Sequence, residues 1–446
     1  MMRFDGHRAL VMGLGRHGGG VAAARYLAKQ GAVVTVTDLA PAERLQPSLA
    51  ALADLPGVRY RLGEHRREDF CRADLIVVNP AVRPNHVLLR EASQRAARLT
   101  SEIELFLRAC PAAVIGVTGS SGKSTTSSML AAILEADGHT VWLGGNIGRS
   151  LLPELPRMRL GDWVVLELSS FQLHRLPDTL AMPSVAVVTN CTANHLDWHG
   201  DAAAYRTAKQ RLLDGQTEDA VAVFAADEPS LAGWISRVRG TFVPPVDDGE
   251  IPRLRLVGRH DRRNAALALS AARAVGCHGK ITERALANFR GLPHRLQHAG
   301  NAAGRRFLND SKSTTPESLL AALDATAGRV WLIAGGVDKG FDLERLVRGI
   351  VSRAAGAAFI GKVGSKLYRL AASIAPDFPA HDAADLACAF DWCVEHAEAG
   401  NAVLLSPGFA SLDQYEDYAA RGHHFESLLA MLRGRDPSAL PGAVRR

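Results

Sequence analysis

Short apolar runs alternate with alanine- and leucine-rich stretches of helical periodicity along nearly the whole chain. In the first hundred residues Ala9–Met12, Val33–Thr37 and Leu75–Val78 predict buried strands, with Val21–Lys29 and Val87–Ala97 as helices. That rhythm builds parallel sheets covered on both faces. A second section repeats it, with strands expected at Ala112–Val117, Val141–Leu143, Trp163–Leu168, Val185–Thr189 and Ala220–Phe224 and helices at Thr126–Glu135 and Arg262–Val275. A third section predicts strands at Phe307–Leu308, Val330–Ala334, Ala357–Ile360 and Ala402–Leu405. A composition break at Arg108–Pro111 separates the first two sections. The turn-rich stretch from Gly291 to Asn301 reads as a linker into the third, and the residues from Gly434 onward read as a fraying tail. The fold class is therefore α/β, with mostly parallel sheets in three domains: residues 1–110, 111–297 and 298–446.

Composition narrows this picture only a little. With 446 residues, 47% of them apolar and 22% charged, the chain has the makeup of a water-soluble globular protein. No apolar run is long enough to span a membrane, and Met1–Gly6 lacks the apolar core of a signal peptide. The six cysteines are scattered without metal spacing, which points to reduced thiols and a cytoplasmic location. A net charge of +6, with no basic tail, fits a small anionic substrate better than nucleic acid. No nucleic-acid or membrane partner is expected, and the protein is expected to be a monomer.

The chemistry collects where apolar runs end, as it does in open α/β sheets. Gly116, Thr118, Gly119, Ser120, Ser121, Gly122, Lys123, Ser124 and Thr125 lie in a strand–glycine-loop–helix context matching the phosphate-binding pattern G-x-x-x-x-G-K-[ST]. Its backbone amides would cradle phosphates, Lys123 would reach the outer ones, and Ser124 would ligate Mg²⁺. Glu167 ends the next strand, where a carboxylate can hold the same hard cation or be a solvated strand-end acid. His195 follows another strand in a polar loop and reads equally as structural or as a ligand. Tyr205–Leu213 reads as a basic helix with a solvated face, and nothing in its spacing marks Lys209. In the third section Asn309–Thr314, Gly335–Gly340 and Ser406–Ser411 offer Lys, Ser, Thr and glycine-flanked amides to an anionic substrate.

The first section carries a second glycine loop, Gly13-Leu14-Gly15-Arg16-His17-Gly18-Gly19, with Asp38 at the end of the following strand. This satisfies GxGxxG with its downstream acid, so a nicotinamide or flavin cofactor is one reading. The diphosphate of another nucleotide is the other.

Taken in order, Gly116–Thr125, Gly144–Gly148, Leu166–Gln172, Asn194–Asp197, Tyr205–Leu212, Gly291–Arg295, Asn309–Lys312 and Leu405–Gln414 resemble the Mur ligases of peptidoglycan synthesis. Within that family the resemblance is strongest to the branch that joins glutamate to UDP-N-acetylmuramoyl-L-alanine, on Asp310–Thr314 and Ser411–Gln414. It runs from Leu10 to about Leu429. The resemblance implies a Rossmann-like UDP-sugar domain, a central P-loop ATPase domain and a Rossmann-like C-terminal domain that receives the amino acid. It turns the first glycine loop into a UDP-sugar site, with Gly15, Arg16, His17 and Asp38 on the substrate. It also implies ATP and Mg²⁺ as cofactors, with Lys123, His195 and Lys209 catalytic, one ion on Ser124 and Glu167, and a second on His195 and a carbamoylated Lys209. Asn146, Asn264, Arg295 and Asp310 match nucleotide contacts, and Lys312, Thr314, Lys339, Ser411, Leu412 and Tyr418 match the glutamate pocket. The reaction implied is phosphorylation of the substrate carboxylate to an acyl phosphate, then attack by the D-glutamate amine.

Three positions depart from the pattern: Asp261 where Asn is frequent, Tyr418 where Phe is usual, and Ala193 where an acid can precede the Asn-His pair. Asp261 beside phosphates would repel them unless Arg259, Arg262 or Arg263 pairs with it. Other readings are a ligase of the same superfamily using L-glutamate or a folate, a nicotinamide-dependent oxidoreductase built on Gly13–Gly19, and a nucleotide-gated regulatory protein. The folate reading is weakened by the first domain, which a pterin ligase would not need.

Overall fold

A computed structural model describes residues 3–15, 18–256, 259–338 and 340–435. The chain divides into two compact units, one comprising Met1–Leu254 with Arg259–Phe289, the other Arg255–Gly258 with Arg290–Arg446.

The first unit contains two sheets. The first is built from β1 (Arg8–Met12), β2 (Val33–Asp38), β3 (Arg59–Leu62), β4 (Leu75–Val78) and β5 (Arg98–Thr100) in the order β3-β2-β1-β4-β5, all parallel. Alternation along β1 sends Ala9 and Val11 to one covered face and Leu10 and Met12 to the other. The second sheet comprises β6 (Ala113–Thr118), β7 (Val141–Gly145), β8 (Trp163–Glu167), β9 (Val185–Val188), β10 (Val221–Val223) and β11 (Thr241–Val243). Its order is β11-β10-β9-β6-β8-β7, again all parallel. One apolar core runs from Val11 and Phe106 through Leu152 and Leu155 to Leu166 and Trp234, so the two sheets share an interior.

The second unit holds one sheet of β12 (Gln297–Ala302), β13 (Arg305–Asn309), β14 (Val330–Gly335), β15 (Gly356–Ile360), β16 (Ala380–Asp382) and β17 (Ala402–Leu405). The order is β12-β13-β17-β14-β15-β16, with β12 antiparallel to β13 and the other pairings parallel. Leu332 and Ala334 of β14 enter one core and Trp331 and Ile333 the other, which makes this a doubly covered sheet as well.

Two expectations need correction. The stretch expected as a linker ends inside β12, whose Gly300 sits at an irregularity in the ladder with β13; the turn residues concealed an edge strand. The tail expected from Gly434 is helical at its first two residues, because the last helix continues to Arg435, and the rest of it lies outside the described residues. The short strands β3, β5, β11, β12 and β16 had no expectation of their own, being polar or only three residues long.

Candidate active site

β6 delivers the chain to the phosphate loop, and the helix Lys123–Ala136 leaves it. Gly119 and Gly122 have φ of +153° and +80°, and a Cβ at Gly119 would fall 1.8 Å from Thr189 Oγ1. A Cβ at Gly122 would meet Asn264 Oδ1 at 2.4 Å. Glycine is therefore required at both positions for space as well as for backbone conformation. The loop is held from the end of β9: Ser120 N–H and Ser121 N–H donate to Asn190 Oδ1 at 3.2 and 3.1 Å, and Thr189 Oγ1 donates to Ser121 O at 2.5 Å. Ser124 and Thr125 are buried in the first turn of the helix.

Two lysines converge on one carbonyl. Lys123 Nζ donates to Gly119 O at 2.9 Å and to Ser120 O at 3.2 Å, while Lys209 Nζ donates to Gly119 O at 2.8 Å. Lys209 lies on the helix Ala202–Asp214 and is only 1% exposed, under the ring of Tyr205 at 4.8 Å. This overturns the solvated-face reading of that helix, which presents Tyr205, Ala208, Lys209 and Leu212 inward. Burial first, and the neighbouring Lys123 ammonium second, bring the Lys209 ammonium down to about 7. A lysine so placed is largely a neutral amine in mildly alkaline solution.

Glu167 closes β8 and is 1% exposed. Its Oε1 accepts from Asn146 Nδ2 at 2.7 Å, whereas its buried Oε2 accepts no hydrogen bond from the protein. A buried carboxylate oxygen without a donor is costly unless a cation meets it, so the donor set fits Mg²⁺. His195 caps the short helix Leu196–His199 with φ +53°, an uncommon conformation for a residue with a side chain. Its ring is 4.8 Å from that of Phe171, and partial burial, then Lys123, lower its pKa and favour the neutral imidazole that can ligate a metal.

The other glycine loop is arranged differently. Gly15 N–H donates to Asp38 Oδ2 at 3.0 Å and Ala40 N–H to Asp38 Oδ1 at 2.8 Å, so Asp38 pins the loop to the end of β2. Ser48 Oγ donates to Gly15 O at 2.7 Å. Arg16 and His17 lie outside the described residues.

In the second unit, Asp310 at the end of β13 is buried, accepting from Leu296 N–H at 2.9 Å and Ser406 Oγ at 2.7 Å. Burial raises its carboxyl to about 6. The turn it holds carries Arg295 between His294 and Leu296, whose φ values are +59° and +42°, so the backbone is strained on both sides of that arginine. Lys312 Nζ lies over the Tyr418 ring at 5.4 Å. Ser411 is buried, Leu412 is 58% exposed, and Thr314 is half-buried in the loop after β13. Lys339 lies outside the described residues.

Residues 7–101 match the Mur ligase MurD-like N-terminal domain, 117–249 the Mur ligase middle domain, and 294–409 the Mur ligase glutamate ligase domain. UDP-N-acetylmuramoylalanine–D-glutamate ligase of Roseiflexus sp. strain RS-1 is 36% identical over 96% of this chain and 99% of its own. The enzyme of the same name from Oleidesulfovibrio alaskensis is 38% identical over 96% and 94%. The chain belongs to the Mur ligase family. Among solved structures, UDP-N-acetylmuramate–alanine ligase MurC of Thermotoga maritima covers 95% of this chain and 99% of its own at a TM-score of 0.60; at 18% identity that likeness concerns the fold alone.

This Mur ligase also uses residues that sequence reasoning did not single out. Asn190 and Thr189 hold the phosphate loop, and Tyr205 hydroxyl meets Ser120 Oγ at 2.8 Å. Asn190 directly follows a predicted strand, which was the available signal. Arg421 had none: 1% exposed on the helix Tyr418–Arg435, it donates to Ser311 Oγ and O at 3.0 and 2.9 Å and to Phe409 O at 3.2 Å, tying together the loops after β13 and β17. Of the departures, Asp261 pairs with His260 at 3.5 Å, while Arg262 and Arg263 pair with Asp248 and Glu228. The Arg259 side chain lies outside the described residues.

Proposed function

We propose that this Mur ligase adds D-glutamate to UDP-N-acetylmuramoyl-L-alanine at the expense of ATP, through an acyl phosphate. The observation carrying this reading is the pair of lysines on the Gly119 carbonyl beside the open oxygen of Glu167. A simple nucleotide switch has no use for a second, buried lysine there. The name shared by the relatives supports the substrates; UDP-sugar, ATP and glutamate are assigned in turn to residues 1–110, 111–297 and 298–446.

In the first step an oxygen of the alanyl carboxylate attacks the γ-phosphorus and ADP leaves. In the second, the glutamate amine attacks the acyl carbon, loses a proton, and inorganic phosphate departs from the tetrahedral intermediate. Lys123 and the amides of Gly119–Gly122 would hold the phosphates in line and neutralise charge as it develops. Ser124 and Glu167 would hold one Mg²⁺ and His195 would help hold a second; the cation supplies further charge neutralisation on the phosphoryl oxygens. Asn146, by donating to Glu167, orients that carboxylate, and Asn264 backs the loop at Gly122. The neutral Lys209 amine is suited to add to CO₂, forming an N–C bond and releasing a proton, which would place a metal-supporting anion at this buried position.

Arg295 and Asp310 are assigned to the nucleotide. Lys312, Thr314, Lys339, Ser411, Leu412 and Tyr418 are assigned to glutamate, with a lysine well suited to its side-chain carboxylate. The test is phosphate release from ATP with UDP-N-acetylmuramoyl-L-alanine and each glutamate enantiomer. Release dependent on D-glutamate is expected; release with L-glutamate only, or with no amino acid, defeats the reading.

A further inference from the structure

The helix that begins at Lys123 ends in a cluster that the reaction does not use. Asp137 is its C-cap, Gly138 takes φ +93°, and His139 N–H returns to Leu134 O at 3.1 Å while Gly138 N–H returns to Glu135 O at 3.0 Å. The helix Arg259–Ala274 ends the same way: Gly276 has φ +95°, Cys277 N–H reaches Ala272 O at 3.0 Å and Gly276 N–H reaches Arg273 O at 3.0 Å. These are two Schellman turns, and each sets its next residue after the glycine, His139 or Cys277, at the end of its helix. A ligand atom from each of Asp137, His139 and Cys277 lies within 4.8 Å of the other two. His139 Nε2 stands 3.7 Å from Asp137 Oδ2, and Cys277 is fully buried as a free thiol.

We propose that Asp137, His139 and Cys277 bind a zinc ion that staples the C-terminal ends of these two helices. Three arguments meet. The donors are one sulfur, one imidazole nitrogen and one carboxylate oxygen, a set that suits Zn²⁺ and not the hard Mg²⁺ of the phosphate site. Bonds of about 2.0–2.3 Å in a tetrahedron put ligand atoms roughly 3.3–3.8 Å apart, so small side-chain rotations complete the triad. Finally, a cation there faces the partial negative charge of two helix C-termini at once. Asp137 and His139 keep partial solvent exposure, which leaves a fourth position for water. Coordination replaces the thiol proton of Cys277, which leaves to solvent.

The consequence concerns the opposite helix ends. The first helix starts at the phosphate loop, about 20 Å from its C-cap at 1.5 Å per residue. The second carries Asn264, which fills the space a Cβ at Gly122 would need. Fastening the far ends fixes the angle at which Asn264 backs the loop, so the ion is structural and not catalytic.

The test uses the full chain, stripped with a chelator and held in excess Mg²⁺ to occupy the phosphate site. Zinc is added and counted by elemental analysis after dialysis, and Co²⁺ is added separately as a spectroscopic probe. Expected are one zinc retained per chain, a rise of a few degrees in Tm, and a thiolate-to-cobalt charge-transfer band. Cys277→Ser should abolish the band and the Tm rise. His139→Gln, at a half-exposed position, should weaken zinc retention at least tenfold, and it serves as the second variant should Cys277→Ser fold poorly. Zinc retention and Tm response equal in wild type and His139→Gln, or a cobalt spectrum without the thiolate band, overturns the proposal.

Discussion

The two glycine loops of the first unit share one local design and differ in what surrounds it. Both follow a buried parallel strand, both open a helix through a glycine of positive φ, and both have an acid at a neighbouring strand end. In the first loop that acid, Asp38, is spent on backbone amides and holds the loop in shape. In the second, Glu167 keeps one buried oxygen open, and Lys123 and Lys209 crowd a single carbonyl. A loop alone makes a diphosphate cradle; buried ionisable groups gathered beside it turn a cradle into a place for chemistry.

Removing the open oxygen should break the contrast most severely. Glu167→Gln is expected to lower kcat roughly 10³-fold while leaving UDP-substrate affinity intact, as read by turnover and by calorimetry of the substrate. Lys209→Ala should cost about 10²–10³-fold in kcat, with partial recovery on adding a small carboxylic acid; a fully active variant would sink the carbamate. The same lysine sets a pH signature. Its amine is protonated below about 7 and neutral above it, so enzyme depleted of CO₂ should regain activity with bicarbonate increasingly as pH rises through that value, and a flat response contradicts the mechanism.

On the quieter loop, Asp38→Ala should raise KM for the UDP-substrate about tenfold with kcat little changed, the cost of one charge-assisted loop tether. Loss of kcat instead would mean that the first loop takes part in the chemistry. The smallest effect concerns stability in the second unit. Asp310 titrates near 6 when folded, above its ordinary value of 3.8. Between those values the native state binds more protons than the unfolded state, so stability falls as pH rises through that window, and the contribution is gone above about 6. Asp310→Asn should flatten this slope in denaturation curves taken from pH 4 to 7.

Most central strands were legible because both faces are covered: Leu75–Val78 and Ala402–Leu405 are apolar throughout and fall where expected. Edge strands other than β7 were not, since β12 carries Gly300 and Asn301 and β16 reads Ala-His-Asp; a strand with one neighbour needs no continuous apolar run. Gly119, Lys123 and Glu167 could be found because a phosphate loop and a strand-end acid are local patterns. Lys209 was reached only through the family resemblance and Arg421 not at all, since a lysine or arginine on a polar helix is ordinarily solvated and their burial is produced by distant segments.

The sequence by itself determined the α/β alternation, the phosphate loop with its glycines, and the ordered motifs of a Mur ligase, because each rests on spacing within a few residues. Only the tertiary structure decided that Lys209 is buried against the loop, that Glu167 retains an open oxygen, and that His139 and Cys277 end up side by side across 138 positions of the chain. The reason is physical: local spacing sets backbone conformation, whereas the protonation and partners of a charged group depend on whatever the whole fold packs around it.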